Sequence, residues 1–345
     1  MKITVVGAGI VGLATADALV RRGHVVTVLE ADRPMGARSA GASRIFRVAH
    51  GEPALVEAAQ RARGLWEQYS QRAGRPLIGT EGTVVSGPRV AQWARAMDAA
   101  GAEHTLGDPP STLLGRAEGP VLTDPAGGAL DLAGAGHLLV DACKPMMRPG
   151  RVVDLDELVG DAIVVTAGAG TAELVAPLGI EVPHRLCHHV RFSFRPAGPL
   201  PAVPPTHLDG TPGPELASTY QHRTPEGHWA IGGHLPDQVT STDQGIDKVR
   251  RRSYEAVTAH VTARIPELEP EPVGELACLP TAGEAVPDGD PGSVHTARVG
   301  NVHVLWGENL AKLAPLLGEQ LAEAVHTDGV AHAIGIPPDL ADHGR

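Results

Sequence analysis

The stretch that decides the fold is Lys2-Ile3-Thr4-Val5-Val6-Gly7-Ala8-Gly9-Ile10-Val11-Gly12, followed by Leu13 to Arg22, Gly23, and Val25-Val26-Thr27-Val28-Leu29-Glu30. Lys2 to Val6 reads as a short buried strand. Leu13 to Arg22 reads as a helix closed by Gly23, and Val25 to Leu29 as a second strand ended by Glu30. Between strand and helix, Gly7 allows a tight turn, Gly9 lets backbone approach a pyrophosphate, and Gly12 lets the helix pack on the strand. A helix N-terminus presents free N–H groups to phosphate. Glu30, 18 residues beyond Gly12, is placed to take ribose hydroxyls. Lys2 followed by an apolar stretch and Ala14-Thr15-Ala16 mimics a signal peptide, but one lysine is a weak leader and the glycine spacing explains the same residues better. This segment predicts dinucleotide binding. It does not separate FAD from NAD.

The whole chain is compatible with that start. Its 345 residues suit one large or two interleaved domains. With 42% hydrophobic and 20% charged residues, it is not a disordered chain. Glycine (42) and proline (30) are abundant and aromatics are 3%, so loops are many and the core is built from Ala, Val and Leu. The net charge of −11 argues against nucleic-acid binding. Cys143, Cys187 and Cys278 form neither a disulfide framework nor a zinc spacing, which fits a reducing cytoplasm. No run has the length and apolarity of a membrane span. Cys187-His188-His189 looks metal-like, but neighbouring strand residues point to opposite faces, so no metal site is expected.

The next segment bears on the cofactor. Glu30-Ala31-Asp32-Arg33-Pro34 leads through Gly36-Ala37-Arg38-Ser39-Ala40-Gly41-Ala42 to Ser43-Arg44-Ile45-Phe46-Arg47-Val48-Ala49-His50-Gly51-Glu52. This reads as a small-residue loop with cationic members, suited to a second approach to the cofactor, before a helix from Pro53 to Ala73. The Ser43–Glu52 run resembles the signature of the monomeric sarcosine oxidase branch of the FAD-dependent amino acid oxidases. Leu65-Trp66-Glu67 in the helix, the strand and glycine turn Asp161 to Gly170, the segment Cys278-Leu279-Pro280-Thr281, and Val302 to Lys312 are similar to further family segments in the same order.

The resemblance implies an α/β protein (α+β overall). A Rossmann-like FAD-binding domain (1–80, 137–184 and 285–345) would interleave with a substrate domain (81–136 and 185–284) built on an antiparallel or mixed sheet. In the latter, Leu186 to Phe194 and Glu215 to Gly233 read as strands, Pro196 to Pro214 as proline-rich loops, and Asp247 to Ile265 as an amphipathic helix. Pro145, Pro149 and Gly150 interrupt the region from His137 to Asp161, where part of the usual sheet is expected to be missing. The tail after Pro337 is expected to fray.

The resemblance also implies roles. FAD would be held by Gly7, Gly9, Gly12, Glu30, Ala31, Arg38, Ser43, Arg44, Gly168, Gly307, Asn309, Leu310 and Lys312, with Cys278 as a candidate for a covalent thioether. Arg47 and Lys312 would converge on a substrate carboxylate, Arg as a planar fork and Lys as a point charge. Lys312 is one of only four lysines. His234, at the end of Trp229-Ala230-Ile231-Gly232-Gly233-His234, would face the substrate. Two departures stand out. Ala230 occupies the position where the oxidases carry a lysine that helps oxygen accept electrons, and Pro280 replaces an aromatic residue. The expected function is FAD-dependent oxidation of an amino acid or secondary amine to an imine, with a biosynthetic role open to it; either oxygen reacts slowly with the reduced flavin or another cation replaces the missing lysine. A flavin enzyme acting on an alcohol or cyclic imine, and a flavin-binding protein without turnover, remain as alternatives. The partner is a small molecule, and the oligomeric state is open.

Overall fold

The computed structural model describes residues 1–182, 185–200, 203–211, 213–278 and 294–334, together with the backbone of 281–282. Leu279, Pro280, the Thr281 side chain and the tail beyond Ile334 lie outside it.

Lys2–Val6 is a central strand because four of its five residues are buried and it pairs on both sides in parallel, with Val25–Glu30 and with Ala162–Val165. The six-stranded sheet runs Val294–Val299, Val302–Gly307, Ala162–Val165, Lys2–Val6, Val25–Glu30, Met147–Pro149. Only Val294–Val299 is antiparallel to its neighbour. The Met147–Pro149 edge strand corrects the expectation of interruption in part. Pro145 and Pro149 bound the strand instead of removing it, as prolines can on an edge, while residues 151–161 contain neither helix nor strand.

The first helix spans Ile10–Arg21, three residues earlier than expected, because Gly9 is an extended N-cap and Ile10 to Leu19 are all buried. It lies under helices Leu132–Cys143 and Ala314–His326 in the main core. Its buried Asp17 accepts from both Nη atoms of Arg72 at 2.7 Å, tying it to helix Pro53–Ala73. That second helix has the bounds read from sequence: proline opens it and Gly74, in the left-handed region at φ 68°, closes it.

The eight-stranded sheet runs Leu268–Cys278, His189–Pro196, Trp229–His234, Ser218–Arg223, Thr206–Asp209, Thr83–Ser86, Val121–Asp124, Thr105–Gly107. One of its junctions, Thr83–Ser86 with Thr206–Asp209, is parallel. Thr206–Asp209 corrects the reading of 196–214 as loop only. In the same way, the expected strand region 215–233 resolves into a hairpin of two strands. Val190, Phe192 and Phe194 pack with Trp229, Ile231 and the helix Ile246–Arg264 on one face, so His189, Arg191 and Ser193 stand on the other. Ser43–Phe46, read as loop, is a strand paired antiparallel with Gly128–Asp131. Among the described residues, no helix is long and apolar enough to cross a membrane.

Candidate active site

The glycine turn, the loop at 38–41, the turn after Ala162–Val165 and the segment after Val302–Gly307 meet at the carboxyl ends of the parallel strands. Ligands bind at that edge in open α/β sheets. The Gly7 N–H donates to the Leu29 carbonyl at 2.8 Å. Glu30 is committed locally: one carboxylate oxygen accepts from the Ala8 amide at 2.8 Å and the other from the Asp32 amide at 3.0 Å. It thereby holds the turn against the exposed bend at Ala31. A Cβ on Gly12 would lie 2.0 Å from the Gly7 carbonyl oxygen and 2.6 Å from Thr166 Oγ1, so helix, turn and neighbouring strand touch there. Gly168 opens the turn after that strand with φ +60°. Arg38 Nη1 reaches the Gly307 carbonyl at 3.5 Å, and burial lowers its pKa while Glu308 holds it up. Asn309 adopts the left-handed region at φ +49° and starts the short helical turn Leu310–Leu313.

Sequence reasoning missed Ser39, whose Oγ accepts the Ile10 amide at 3.0 Å at the helix N-terminus. A helix start and the half-buried guanidinium of Arg38 beside it are donor types that suit a pyrophosphate.

The polar face of the second sheet is a grid set by strand register. One row is Cys278, His189, His234, Ser218, and the next is Leu276, Arg191, Gly232, Tyr220. A Cβ on Gly232 would sit 2.2 Å from the Tyr220 ring, so only glycine lets that ring lie across the strand. Tyr220 Oη then shares a 2.7 Å hydrogen bond with His189 Nε2. His234 completes the cluster, with ring centroids 5.6 Å from His189 and 5.9 Å from Tyr220, and its Nδ1 lies 2.9 Å from Ser218 Oγ. The His234 side chain is exposed at the end of its strand. Burial, reinforced by His234 and nearby arginines, pushes His189 down to about 3. Burial and Arg89 lower His234. Both imidazoles are therefore neutral near pH 7. Cys278 is half-buried in the same row and within electrostatic reach of Arg38 and Arg44.

The cations expected from sequence are placed as follows. Arg47 is buried. Its Nη1 donates to the Ala49 carbonyl and pairs with His50 Nδ1 at 2.9 Å, and its guanidinium lies 4.5 Å over the Trp93 ring. Buried Asp124 shapes this segment by accepting the amides of Val48 (2.6 Å), Ala49 (3.0 Å) and Ala126 (3.0 Å). Burial pushes its carboxyl up against the pull of those amides. Lys312 is buried in the turn Leu310–Leu313, which adjoins Ser43–Phe46, and its carbonyl accepts Trp66 Nε1 at 2.7 Å. Arg44, expected near the flavin or its phosphates, donates to the carbonyls of Ser43, Arg38 and Ala40 and so folds the loop beside the glycine turn. Ser43 Oγ lies 3.0 Å from His222 Nε2 and joins that loop to the second sheet.

Tyr220, His189, Arg191 and His222 were also missed from sequence. The signal was there in the alternation of polar residues with Val190, Phe192 and Phe194, but which strands lie beside each other was not.

A nucleotide-type turn on a mainly parallel sheet, facing the polar side of a second sheet, marks the architecture of a dinucleotide-binding protein. The family described as DAO, FAD dependent oxidoreductase, matches residues 2–324, and the chain belongs to it. Among solved structures, the chain is similar to the open form of NikD, an unusual amino acid oxidase essential for nikkomycin biosynthesis, with a TM-score of 0.80, 20% identity, and 96% of this chain and 95% of that one covered. Glycine oxidase from Geobacillus kaustophilus aligns with a TM-score of 0.74 and 17% identity over 94% of each chain. Iminodiacetate oxidase from a Chelativorans species aligns with a TM-score of 0.74 and 17% identity over 97% of each. At these identities the likeness is one of fold. A search of curated protein sequences finds no match.

Proposed function

We propose that this FAD-dependent oxidoreductase oxidises the C–N bond of an amino acid or secondary amine to an imine, in a biosynthetic or catabolic setting. The observation that carries this reading is the neutral cluster of His189, Tyr220 and His234 on the wall facing the cofactor turn. FAD, when bound, supplies the acceptor for the hydride from the substrate α-carbon. The chain supplies position and proton handling. A neutral imidazole at His234 accepts a hydrogen bond from an unprotonated amine and takes up the proton that the nitrogen releases as the C=N bond forms. Tyr220, locked over Gly232, fixes the His189 ring. Arg47 and Lys312 orient the substrate carboxylate in this reading; both are buried, and Arg47 directly follows the strand Ser43–Phe46 that touches the turn Leu310–Leu313 carrying Lys312. In this reading 1–80, 137–184 and 285–345 hold FAD, and 81–136 and 185–284 hold substrate. NikD, glycine oxidase and iminodiacetate oxidase, by their names, act on substrates of this kind.

The test is anaerobic mixing of the yellow enzyme with a panel of amino acids and secondary amines, followed by oxygen. Bleaching by at least one panel member is expected. Reoxidation should then be slow, because Ala230, buried beside Ser193 and His222 in register, carries no cation. A flavin that no panel member bleaches would refute the reading, and oxidase-like reoxidation would refute its oxygen clause.

Cys278 is the proposed attachment point for a covalent flavin. Acid-precipitated protein should keep its colour in the pellet, and Cys278→Ala should release it. A colourless wild-type pellet would exclude the thioether.

A further inference from the structure

The rows of the polar sheet face run on past the cluster of His189, Tyr220 and His234. The row of Leu276, Arg191, Gly232 and Tyr220 continues in register through Leu208 and Val85 to Leu122. Val85 and Leu122 belong to the main core with Val90, Trp93 and Met97 of the helix Val90–Ala99, which also contacts the strand Val121–Asp124. That helix therefore lies over the same face of the sheet as the cluster. The row of Cys278, His189, His234 and Ser218 leads in the same direction to Gly210 and Gly87, which touch: a Cβ on Gly87 would lie 2.7 Å from the Gly210 carbonyl carbon. Arg89 follows Gly87 by two residues and is the N-cap residue of the helix. One turn further on, the Trp93 ring lies 4.5 Å from the Arg47 guanidinium. The opening turn of this helix thus joins the surroundings of His234 to those of Arg47.

Arg89 is exposed, and its charge is within electrostatic reach of His234. No acid stands in the first turn of its helix, and among the described residues no carboxylate forms an ion pair with it. Asp237, the acid that also faces His234, is held by Arg185. With the substrate α-carboxylate on Arg47 and Lys312 and its nitrogen at His234, Arg89 is a further cation on the rim of the same site, with no protein anion to meet. Its guanidinium is a planar fork that matches a carboxylate. A substrate group that reaches it while the α-carboxylate is held elsewhere belongs to the side chain or to the substituent on nitrogen.

We propose that Arg89 binds a second carboxylate of the substrate, so that the site selects dicarboxylic amino acids, or secondary amines that carry a second carboxylate, over their monocarboxylic counterparts. This inference rests on the reading that the site oxidises an amine beside His234. It adds to that reading the charge of the substrate and the residue that selects it.

The experiment uses FAD-loaded enzyme and two readouts. The first is perturbation of the flavin absorbance by malonate, succinate and glutarate, set against acetate, propionate and butyrate. At least one dicarboxylate should bind about tenfold tighter than the monocarboxylate of the same carbon backbone, and Arg89→Ala should remove that margin. Arg89→Lys, which keeps the charge and loses the fork, should hold the margin to within about threefold of wild type. The second readout is anaerobic bleaching of the flavin by aspartate, glutamate and N-methylaspartate, set against alanine and sarcosine. Arg89→Ala should lower the ratio of dicarboxylic to monocarboxylic bleaching rates about tenfold. Arg89 is exposed, so the variant is expected to fold, and its flavin content and thermal unfolding check that. Equal wild-type affinity for the two sets of acids, or an Arg89→Ala effect of the same size on both sets, would overturn the proposal. Bleaching by the monocarboxylic amines alone would overturn it too and would leave amine oxidation standing. A flavin that no amine bleaches would instead sink the reading beneath it, and the proposal with it.

Discussion

Gly12→Val is expected to yield a protein that holds no FAD and unfolds at a clearly lower temperature. The new side chain would begin 2.0 Å from the Gly7 carbonyl oxygen and 2.6 Å from Thr166 Oγ1. The first contact is backbone, so relief requires the helix Ile10–Arg21 to lift from the turn. Overpacking a tight site costs about 1–3 kcal/mol and at times more, a large share of the ~5–15 kcal/mol that holds a domain folded. The same shift moves the Ala8 and Ile10 amides off Glu30 and Ser39. Gly64→Ala is the matched control. Gly64 lies within helix Pro53–Ala73, its added Cβ meets nothing within 4 Å, and it should gain up to about 1 kcal/mol in helix propensity. Flavin content per chain and thermal unfolding of both variants check this. Wild-type flavin content in Gly12→Val would show that the turn does not hold the cofactor.

The second large effect is acid lability. Stability is expected to fall steeply between about pH 6.5 and pH 4. Burial is the main cause that pushes His189 to about 3, His207 to about 4 and His303 to about 4. His222 is also well below its ordinary value through burial and the charges of Arg191 and Arg44. In the unfolded chain each takes a proton near pH 6.5. Between the two values the unfolded state binds more protons, so stability rises with pH across the window and is lost on acidification. For fully buried His207 alone, the full window corresponds to roughly 3 kcal/mol. Asp209, held below the usual carboxylate range by hydrogen bonds from Thr211 and Ser86 and by His207, adds a loss in the same direction at lower pH. Denaturant midpoints at stepped pH values measure the slope. His207→Gln, which keeps a polar group beside Ser86 and Gln221, should flatten it. A stability curve that is level from pH 7 to pH 4.5 would refute the buried-neutral assignment. The same burial keeps His189 uncharged, as the proposed amine oxidation asks of the cluster around His234.

What could be read from sequence was what is set by near neighbours. Lys2–Val6, the glycine turn and the helix Pro53–Ala73 follow from residues within a turn or two of each other, and the structure has them there. The family signature marked Ser43–Glu52, yet its first four residues were read as loop. They are a strand only because Gly128–Asp131, far along the chain, pairs with them. Thr206–Asp209 hides among prolines for the same reason, its parallel partner being Thr83–Ser86.

The site divides along the same line. Sequence by itself determined the glycine turn, since glycines at fixed spacing between a strand and a helix leave the backbone few alternatives. Only the tertiary structure decided that Arg47 lies over Trp93, that Tyr220 crosses Gly232 to reach His189, and that Arg44 and Arg191 share the Ser43 carbonyl. Each is a contact between elements distant in the chain. Strand register, and the side of the sheet that Phe192 and Trp229 claim for the core, set which polar residues stand on the opposite face. No local pattern encodes that choice.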